Sequence, residues 1–377
     1  MVSMRFSTLL LACTLLALPA HADDEIVIGT IYPLSGGLAL DGQSNLNGAR
    51  LAADEINAAG GLLGKKVKVL SEDGACNPAQ SVSAAEKLLT KDNVVALLGA
   101  SCSSATGAVA ETIRKYNRPL ITGVSTAERL TEEGNPWFFR ATTTTKLNGM
   151  SLGKTLMEVT KAKKVAFVVT SDDWGRSAAP AYGEAFKALG ATVVATEFFD
   201  RAQTDLTEYL TKARAAGADA VFSVGGFQNA GNLTSQARQI GFNGPIMGEG
   251  AFCTEPWAKL VGAFTNNVIG ILEWVPGIDD AANKTFTEGY KKAFKEAPTK
   301  FSAAGYNTAH ILMDAIKRAN STEPEALRKA LAATDYTGIM GNYKFDQKGQ
   351  GYNFNMFLVK WQNGDSAVLE ATKISKQ

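Results

Sequence analysis

Two short loops rich in hydroxyl side chains are the stretches of this chain best suited to bind a small polar ligand. Each loop follows a short aliphatic run that is typical of a buried parallel strand, Val94–Leu98 in the first case and Pro119–Val124 in the second. Neutral hydroxyl donors of this kind can hold a carboxylate or another small anion without an opposing charge. The hydroxyl residues of the two loops are Ser101, Ser103 and Ser104 in the first and Ser125 and Thr126 in the second.

Each hydroxyl loop is expected to open a helix. Ala105–Tyr116 has the length and composition of a helix, and Ser125-x-x-Glu128 has the spacing of a capping box. Two helix N-termini side by side would present free N–H groups to an anion. On the pattern alone, the alternative interpretation is that these serines only cap helices.

Strand and helix patterns alternate through the chain in two successive runs. The first begins at Ile26–Tyr32, and the second begins after residues Thr142–Thr145. Short links between alternating strands and helices predict an α/β fold with two doubly wound parallel-sheet lobes. The chain ends in a hairpin-like pair of strands, Phe354–Trp361 and Ser366–Ala371. Because ligands of such sheets bind outside the carboxyl ends of the strands, we expect the site in the cleft between the lobes.

The first 22 residues have the pattern of a cleaved signal peptide. Arg5 is followed by the apolar run Leu9–Leu18, and Ala20-His21-Ala22 fits an A-x-A cleavage site. Cleavage of a lipoprotein type at Cys13 is the less favoured alternative, because the apolar run continues beyond it. We therefore expect an exported chain that starts at Asp23.

Residues for catalysis, metal binding or nucleic-acid binding are scarce. Outside the predicted signal peptide the only histidine is His310, which falls in a predicted helix, so neither a Ser-His-Asp triad nor a zinc site can be assembled. The segment Gly149–Thr155 misses a P-loop by one residue, and no G-x-G-x-x-G follows the first strand. Lysine plus arginine (38) nearly equal aspartate plus glutamate (37), which argues against a nucleic-acid partner. The sequence therefore predicts a binding protein without a cofactor or metal, and not an enzyme.

Cysteine positions predict one disulfide in an exported chain. Cys76 follows the predicted strand Lys66–Ser71, and Cys102 follows the strand Val94–Leu98. Neighbouring parallel strands would bring these two cysteines together. Cys253 is then expected to be a buried free thiol.

A series of motifs spread in order along the chain carries a resemblance to a known family. With them the chain resembles the periplasmic branched-chain amino-acid receptors of ABC transporters, a subgroup of the type I periplasmic solute-binding proteins. The motifs are Ile28–Gly36, Gly48–Gly61, Asp73–Gln80, Gly99–Thr106, Ile121–Thr131, Ser171–Gly175, Val224–Phe227, Met247–Gly250 and Phe345-Asp346-x-x-Gly349.

The resemblance implies a two-lobed clamp that closes on its ligand by hinge bending. Three crossovers would join the lobes. Lobe I would comprise residues 23–144 plus 277–348, and lobe II would comprise residues 145–276 plus 349–377. The expected partners are a small-molecule ligand and a membrane ABC permease with ATPase subunits. We expect a periplasmic protein that is a monomer.

The resemblance also assigns roles to individual residues. Ser103 and Thr126 match contacts to the ligand carboxylate. The backbone carbonyl of Val124 and the acid Glu249 match contacts to the ligand ammonium group. Trp174 and Phe227 match aromatic residues that cover the ligand. We include Ser125 as a further candidate contact. The family's disulfide matches Cys76 and Cys102, in agreement with the prediction above.

One cleft residue departs from the family pattern. Asp41 stands where the amino-acid receptors carry an aromatic residue. An acid there could accept a hydrogen bond from a polar side chain of the ligand or face water. A branched-chain or other aliphatic amino acid is the first expectation for the ligand. The alternatives are an amide, urea or an aromatic acid, or a ligand-sensing module that serves a signalling partner.

Overall fold

The computed structural model describes residues Glu25–Lys376. The predicted signal peptide, residues 1–22, lies outside the described residues. The described chain forms two sheets, each covered by helices on both faces. One apolar cluster is centred on each sheet, and a larger third cluster contains residues of both.

The first sheet is entirely parallel and has the strand order β2-β1-β3-β4-β5. Its central strand β3 is buried along its whole length, as expected of its aliphatic sequence. The strands are β1 (Glu25–Tyr32), β2 (Lys66–Asp73), β3 (Ala96–Gly99), β4 (Leu120–Thr122) and β5 (Phe138–Arg140).

The second sheet is mixed. Five strands pair in parallel in the order β10-β9-β8-β6-β7, and the remaining four are antiparallel additions at the β10 edge. The parallel strands are β6 (Lys164–Thr170), β7 (Thr192–Phe199), β8 (Ala220–Gly225), β9 (Ile246–Gly250) and β10 (Val268–Leu272), and the added strands are β11 (Asp335–Gly338), β12 (Gly341–Phe345), β13 (Gly351–Gln362) and β14 (Asp365–Lys373).

Helices connect the strands and cover both sheets. Short 3₁₀ turns at Gly36–Leu38 and Gly262–Thr265 supplement them. The helices are α1 (Ala39–Ala58), α2 (Pro78–Thr90), α3 (Ser103–Tyr116), α4 (Arg129–Glu132), α5 (Thr145–Thr160), α6 (Asp173–Ala188), α7 (Thr207–Ala215), α8 (Phe227–Gln239), α9 (Glu255–Val261), α10 (Ala281–Phe294), α11 (Lys300–Ala319) and α12 (Pro324–Ala332).

The chain passes between the two sheets after β5, after β10 and again between α12 and β11. The hairpin β11–β12 was not expected from the sequence, and β12 pairs with β13 of the second sheet. The predicted boundary at residue 348 places this hairpin in lobe I, whereas its pairing attaches it to the second sheet. The other two lobe boundaries stay predictions.

Helices α1 and α11 bring two parts of the cleft together by unusually close packing. A Cβ atom on Gly48 would lie 2.0 Å from the Ser302 carbonyl oxygen, and one on Gly305 would lie 2.0 Å from the Asn45 carbonyl oxygen. The two glycines therefore allow backbone-to-backbone contact between the helices. This contact holds the start of α1 beside the start of α11, where both helices reach the cleft.

The predicted capping box at Ser125 is wrong. No helix begins at residue 126, and the short α4 starts only at Arg129. Glu128 instead accepts a hydrogen bond from the Lys146 N–H. The loop after β4 is therefore held by tertiary contacts of Ser125 and Glu128 and not by a helix cap.

The cysteine predictions are confirmed by the structure. Cys76 and Cys102 form a disulfide with a Cα–Cα distance of 5.5 Å, and Cys253 is a buried free thiol. The expectation that the two cysteines follow neighbouring strands is wrong, because β2 and β3 lie on either side of β1. Within residues 25–376 no helix has the length and apolar character needed to cross a bilayer.

Candidate functional site

A cavity lies between the lobes at the carboxyl ends of the parallel strands. The space open to the centres of water molecules is about 40 Å³, enough for a few waters and therefore for a small ligand. Of the predicted site residues, six line it. They are Asp41, Ser103, Val124, Thr126, Trp174 and Glu249.

One end of the cavity is built from neutral donors. Thr126 is 4% exposed, and its Oγ1 has no hydrogen-bond partner. Ser103 is the first residue of α3, so its backbone N–H has no partner within the helix. Its hydroxyl oxygen accepts a hydrogen bond from the Ala127 N–H (3.3 Å), which leaves the hydroxyl proton free to be donated. Ser101 Oγ, also at this end, is buried and unpartnered. This group of donors suits a carboxylate.

The second lobe contributes Glu249, in β9, to the lining of the cavity, and this residue is 3% exposed. It accepts hydrogen bonds from the Asn148 amide, from the Tyr182 hydroxyl and from the Trp174 indole N–H, the last at 3.1 Å. Burial raises the pKa of Glu249, although these hydrogen bonds oppose the increase. A carboxylate offers about four acceptor sites, so one remains for a ligand donor. A cation bound here would compensate the buried charge.

The carbonyl of Val124 is a further acceptor at the cavity. Val124 lines the cavity, and its carbonyl oxygen accepts no hydrogen bond from the described residues. An ammonium group held by Glu249 has three donors, so a second acceptor is useful to it. The predicted role of this carbonyl is compatible with that placement.

The two lobes touch on both sides of the cavity. On one side, Arg129 Nε lies 2.9 Å from Asp173 Oδ2, and the Asp173 N–H donates to Ser104 Oγ at 3.2 Å. On the other side, the Phe227 N–H donates to Asp41 Oδ2 at 3.0 Å. Both sets of contacts join helices of the first lobe (α1, α3 and α4) to α6 or α8 of the second lobe. The structure is therefore that of a closed clamp.

Two predicted site residues do not line the cavity. The Ser125 hydroxyl donates to the Ser101 carbonyl at 2.9 Å and lies 2.7 Å from Thr106 Oγ1, so it ties the two hydroxyl loops together. The Phe227 side chain packs against the apolar cluster of the second lobe. Only the backbone of Phe227 faces the cleft, because Gly226 and Phe227 form the start of α8.

Two charged pairs at the cavity were not predicted. Lys300 Nζ lies 2.6 Å from Glu273 Oε2, and both side chains are more than nine-tenths buried. Arg201 bonds Asp172, with Nε at 2.9 Å from Oδ2. Burial would raise the pKa of Asp172, but the Arg201 charge and the hydrogen bonds to the carboxylate outweigh it and lower that pKa. Each pair joins residues far apart in sequence, so no local pattern identifies it.

Comparison with known proteins assigns the fold to a family. Residues 25–366 match the model of the family described as periplasmic binding protein. The chain belongs to the periplasmic binding protein family. The family resemblance and the two-lobed α/β fold predicted from the sequence are thereby confirmed. Members of this family are solute-binding receptors that work with transporters.

Three individual proteins are similar to this chain over more than nine-tenths of its length. An amino acid binding protein of Pseudomonas aeruginosa is 30% identical over 353 residues, which cover 93% of this chain and 94% of that protein. The branched-chain amino acid transporter substrate binding protein LivJ of Streptococcus pneumoniae, solved in complex with isoleucine, is 29% identical with a TM-score of 0.84 and covers 93% and 99% of the two chains. An R. palustris solute binding protein in complex with benzoate shares the fold, with a TM-score of 0.86, coverage of 94% and 98%, and 20% identity.

Proposed function

We propose that this protein is a periplasmic receptor that captures an α-amino acid between its lobes and delivers it to an ABC permease with ATPase subunits. The observation that carries the proposal is the pairing of neutral donors from one lobe with a buried acid from the other in a single cavity. The first lobe contributes the unpartnered Thr126 hydroxyl and the hydroxyl proton of Ser103, and the second lobe contributes the buried Glu249. A zwitterion presents the complementary carboxylate and ammonium groups.

The energetics of this arrangement allow useful affinity. Hydrogen bonds to a charged group contribute about 1.5–3 kcal/mol each when buried. A few such bonds, reduced by the entropy lost on binding, allow a Kd near 1 μM, which corresponds to about −8 kcal/mol. The two relatives whose names specify amino acids support this ligand class, and the isoleucine complex supports a branched-chain member of it.

A thermal-shift screen of the chain from Asp23 to Gln377 tests the proposal. Unfolding and refolding first remove any bound ligand. The panel contains the amino acids, small amides, urea and aromatic acids. An amino acid at 100 times its Kd should add about 2.7 kcal/mol to the free energy of unfolding.

The Thr126→Ala variant tests the site itself, because it removes one hydroxyl that would donate a hydrogen bond to the ligand carboxylate. It should reduce the shift for every amino acid that binds. A shift from an aromatic acid or urea, with none from any amino acid, would overturn the amino-acid assignment, because such ligands supply no ammonium to Glu249.

A further inference from the structure

The cavity has a third wall that neither end of a zwitterion uses. With the carboxylate at Thr126 and the ammonium at Glu249, the side chain of the ligand would lie against this wall. The residues of the wall come from the starts of α1 and α11, which the close packing of Gly48 and Gly305 holds together. They are Leu38, Asp41, Asn45, Lys300 and Phe301.

Asp41 is the charged group of this wall that has no ion-pair partner among the described residues. Lys300 forms an ion pair with Glu273, and the nearby Arg201 forms an ion pair with Asp172. Asp41 is 7% exposed. Its Oδ2 accepts the Phe227 N–H at 3.0 Å, whereas its Oδ1 accepts no hydrogen bond from residues 25–376. A carboxylate oxygen that a bound ligand encloses without supplying a donor is costly, so this wall favours a ligand that supplies one.

The position of this carboxylate is fixed from both sides of the cleft. Asp41 belongs to the first turn of α1, and the N–H that it accepts belongs to the first residue of α8. A Cβ atom on Gly226 would lie 2.6 Å from Asp41 Oδ2 and 1.9 Å from Leu38 Cδ2. Oδ1 is therefore held in place when the lobes close, at the point where the ligand is enclosed.

We propose that Asp41 selects the ligand by accepting a hydrogen bond from its side chain. The inference rests on the proposed function above and narrows its ligand class. The receptor then takes short α-amino acids with a hydroxyl, amide or amino group in the side chain in preference to purely aliphatic ones. An aliphatic side chain fills the same space but leaves Oδ1 buried without a donor. The small cavity limits the length of the side chain.

Isosteric ligand pairs test this selection. Threonine is compared with valine, and asparagine with leucine, by isothermal titration calorimetry on the refolded full mature chain. We expect the polar member of at least one pair to bind about tenfold or more tightly, the range of one buried hydrogen bond to a charged group. Asp41→Ala should remove most of that preference.

A matched control separates selection from lobe closure. Arg129→Gln removes an interlobe ion pair with Asp173 whose side chains do not line the cavity. It should weaken both members of each pair by the same factor. If Asp41→Ala does not fold, Asp41→Asn serves instead, since it keeps an acceptor for the Phe227 N–H but loses the charge.

Three results overturn the inference. The first is wild-type binding of valine and leucine as tight as that of their polar counterparts. The second is an equal loss for both members of a pair in Asp41→Ala, which would show that Asp41 only latches the lobes. The third is no binding by any of the four ligands. In that last case, a response to another amino acid in the wider screen keeps the proposed function, and no response to any amino acid removes both.

Discussion

Replacing Glu249 by glutamine isolates the charge that the proposed function assigns to the ammonium of the ligand. The side chain is buried and accepts hydrogen bonds from Asn148, Tyr182 and Trp174. Glutamine has the same size, and its single acceptor oxygen can keep the hydrogen bonds from Asn148 and Tyr182 while losing the one from the Trp174 indole. The lost charged hydrogen bond is worth about 1.5–3 kcal/mol, which predicts a roughly 10- to 150-fold increase in Kd.

Calorimetric titration with two related ligands measures this effect. The first ligand is the best-binding amino acid, and the second is the same acid without its amino group. Glu249→Gln should weaken the first and leave the second unchanged, because the second has no ammonium. Glu255→Gln, which alters a more exposed acid paired with Lys259 in the same lobe, is the matched control and should change neither Kd. An equal change for both ligands in Glu249→Gln would refute the reasoning.

The remaining predictions concern the stability of the fold and the closure of the cleft. Burial raises the pKa of Asp41 from 3.8 to about 7, although Lys300 and Arg201 oppose the increase. Because the folded protein then binds this proton more tightly than the unfolded chain, the contribution of Asp41 to stability is fully present below about pH 4 and falls by up to about 4 kcal/mol as the pH rises to 7. Asp41→Asn should flatten this part of the profile in urea unfolding between pH 5 and 8, and an unchanged profile would contradict the assignment. Replacing both Cys76 and Cys102 by serine opens a loop with a sequence separation of 26 residues, so the free energy of unfolding should fall by about 3–4 kcal/mol in chemical denaturation. A decrease in the free energy of unfolding of less than about 1 kcal/mol would contradict the stabilising role of the disulfide. Gly226→Ala places a methyl group 1.9 Å from Leu38 Cδ2, so it should keep the lobes apart and increase the radius of gyration of the ligand-bound protein in small-angle scattering. An unchanged radius and Kd would show that the cleft does not need this close approach.

Strands and hydroxyl loops could be predicted from the sequence because their signals are local. The alternating pattern predicts strands over Lys164–Thr170 and Thr192–Phe199, and β6 and β7 have these limits. β6 is a buried apolar run, as expected of a central parallel strand, whereas β7 is a largely half-exposed strand at the edge of the sheet. Ser103 and Thr126 follow two such runs, and the carboxyl ends of parallel strands meet at one edge of a sheet. These residues therefore reach the cavity for a reason that the sequence already contains.

Helix starts and charged pairs could not be predicted in the same way. The amphipathic pattern predicts the first helix over Ser44–Ala59, whereas α1 begins at Ala39, because its first turn carries the buried polar residue Asp41 and so lacks an apolar pattern. Helix α6 begins at Asp173, where the cap comes from the Asp172 side chain and no apolar periodicity marks the first turn.

The charged pairs of the cleft depend on contacts across the fold. Lys300 and Glu273 are 27 residues apart, and Arg201 and Asp172 are 29 residues apart. Only tertiary structure reveals that their charges cancel. The isolated position of Asp41, on which the selection of the ligand depends, follows from that cancellation and could not be read from the chain alone.

A crystal structure of the refolded protein with the best amino acid from the screen tests the central claim most directly. The account predicts a ligand carboxylate oxygen within about 3 Å of Thr126 Oγ1 and an ammonium nitrogen within about 3 Å of Glu249. A ligand bound outside the cleft, or one whose amino group points to the hydroxyl loops and not to Glu249, would contradict it.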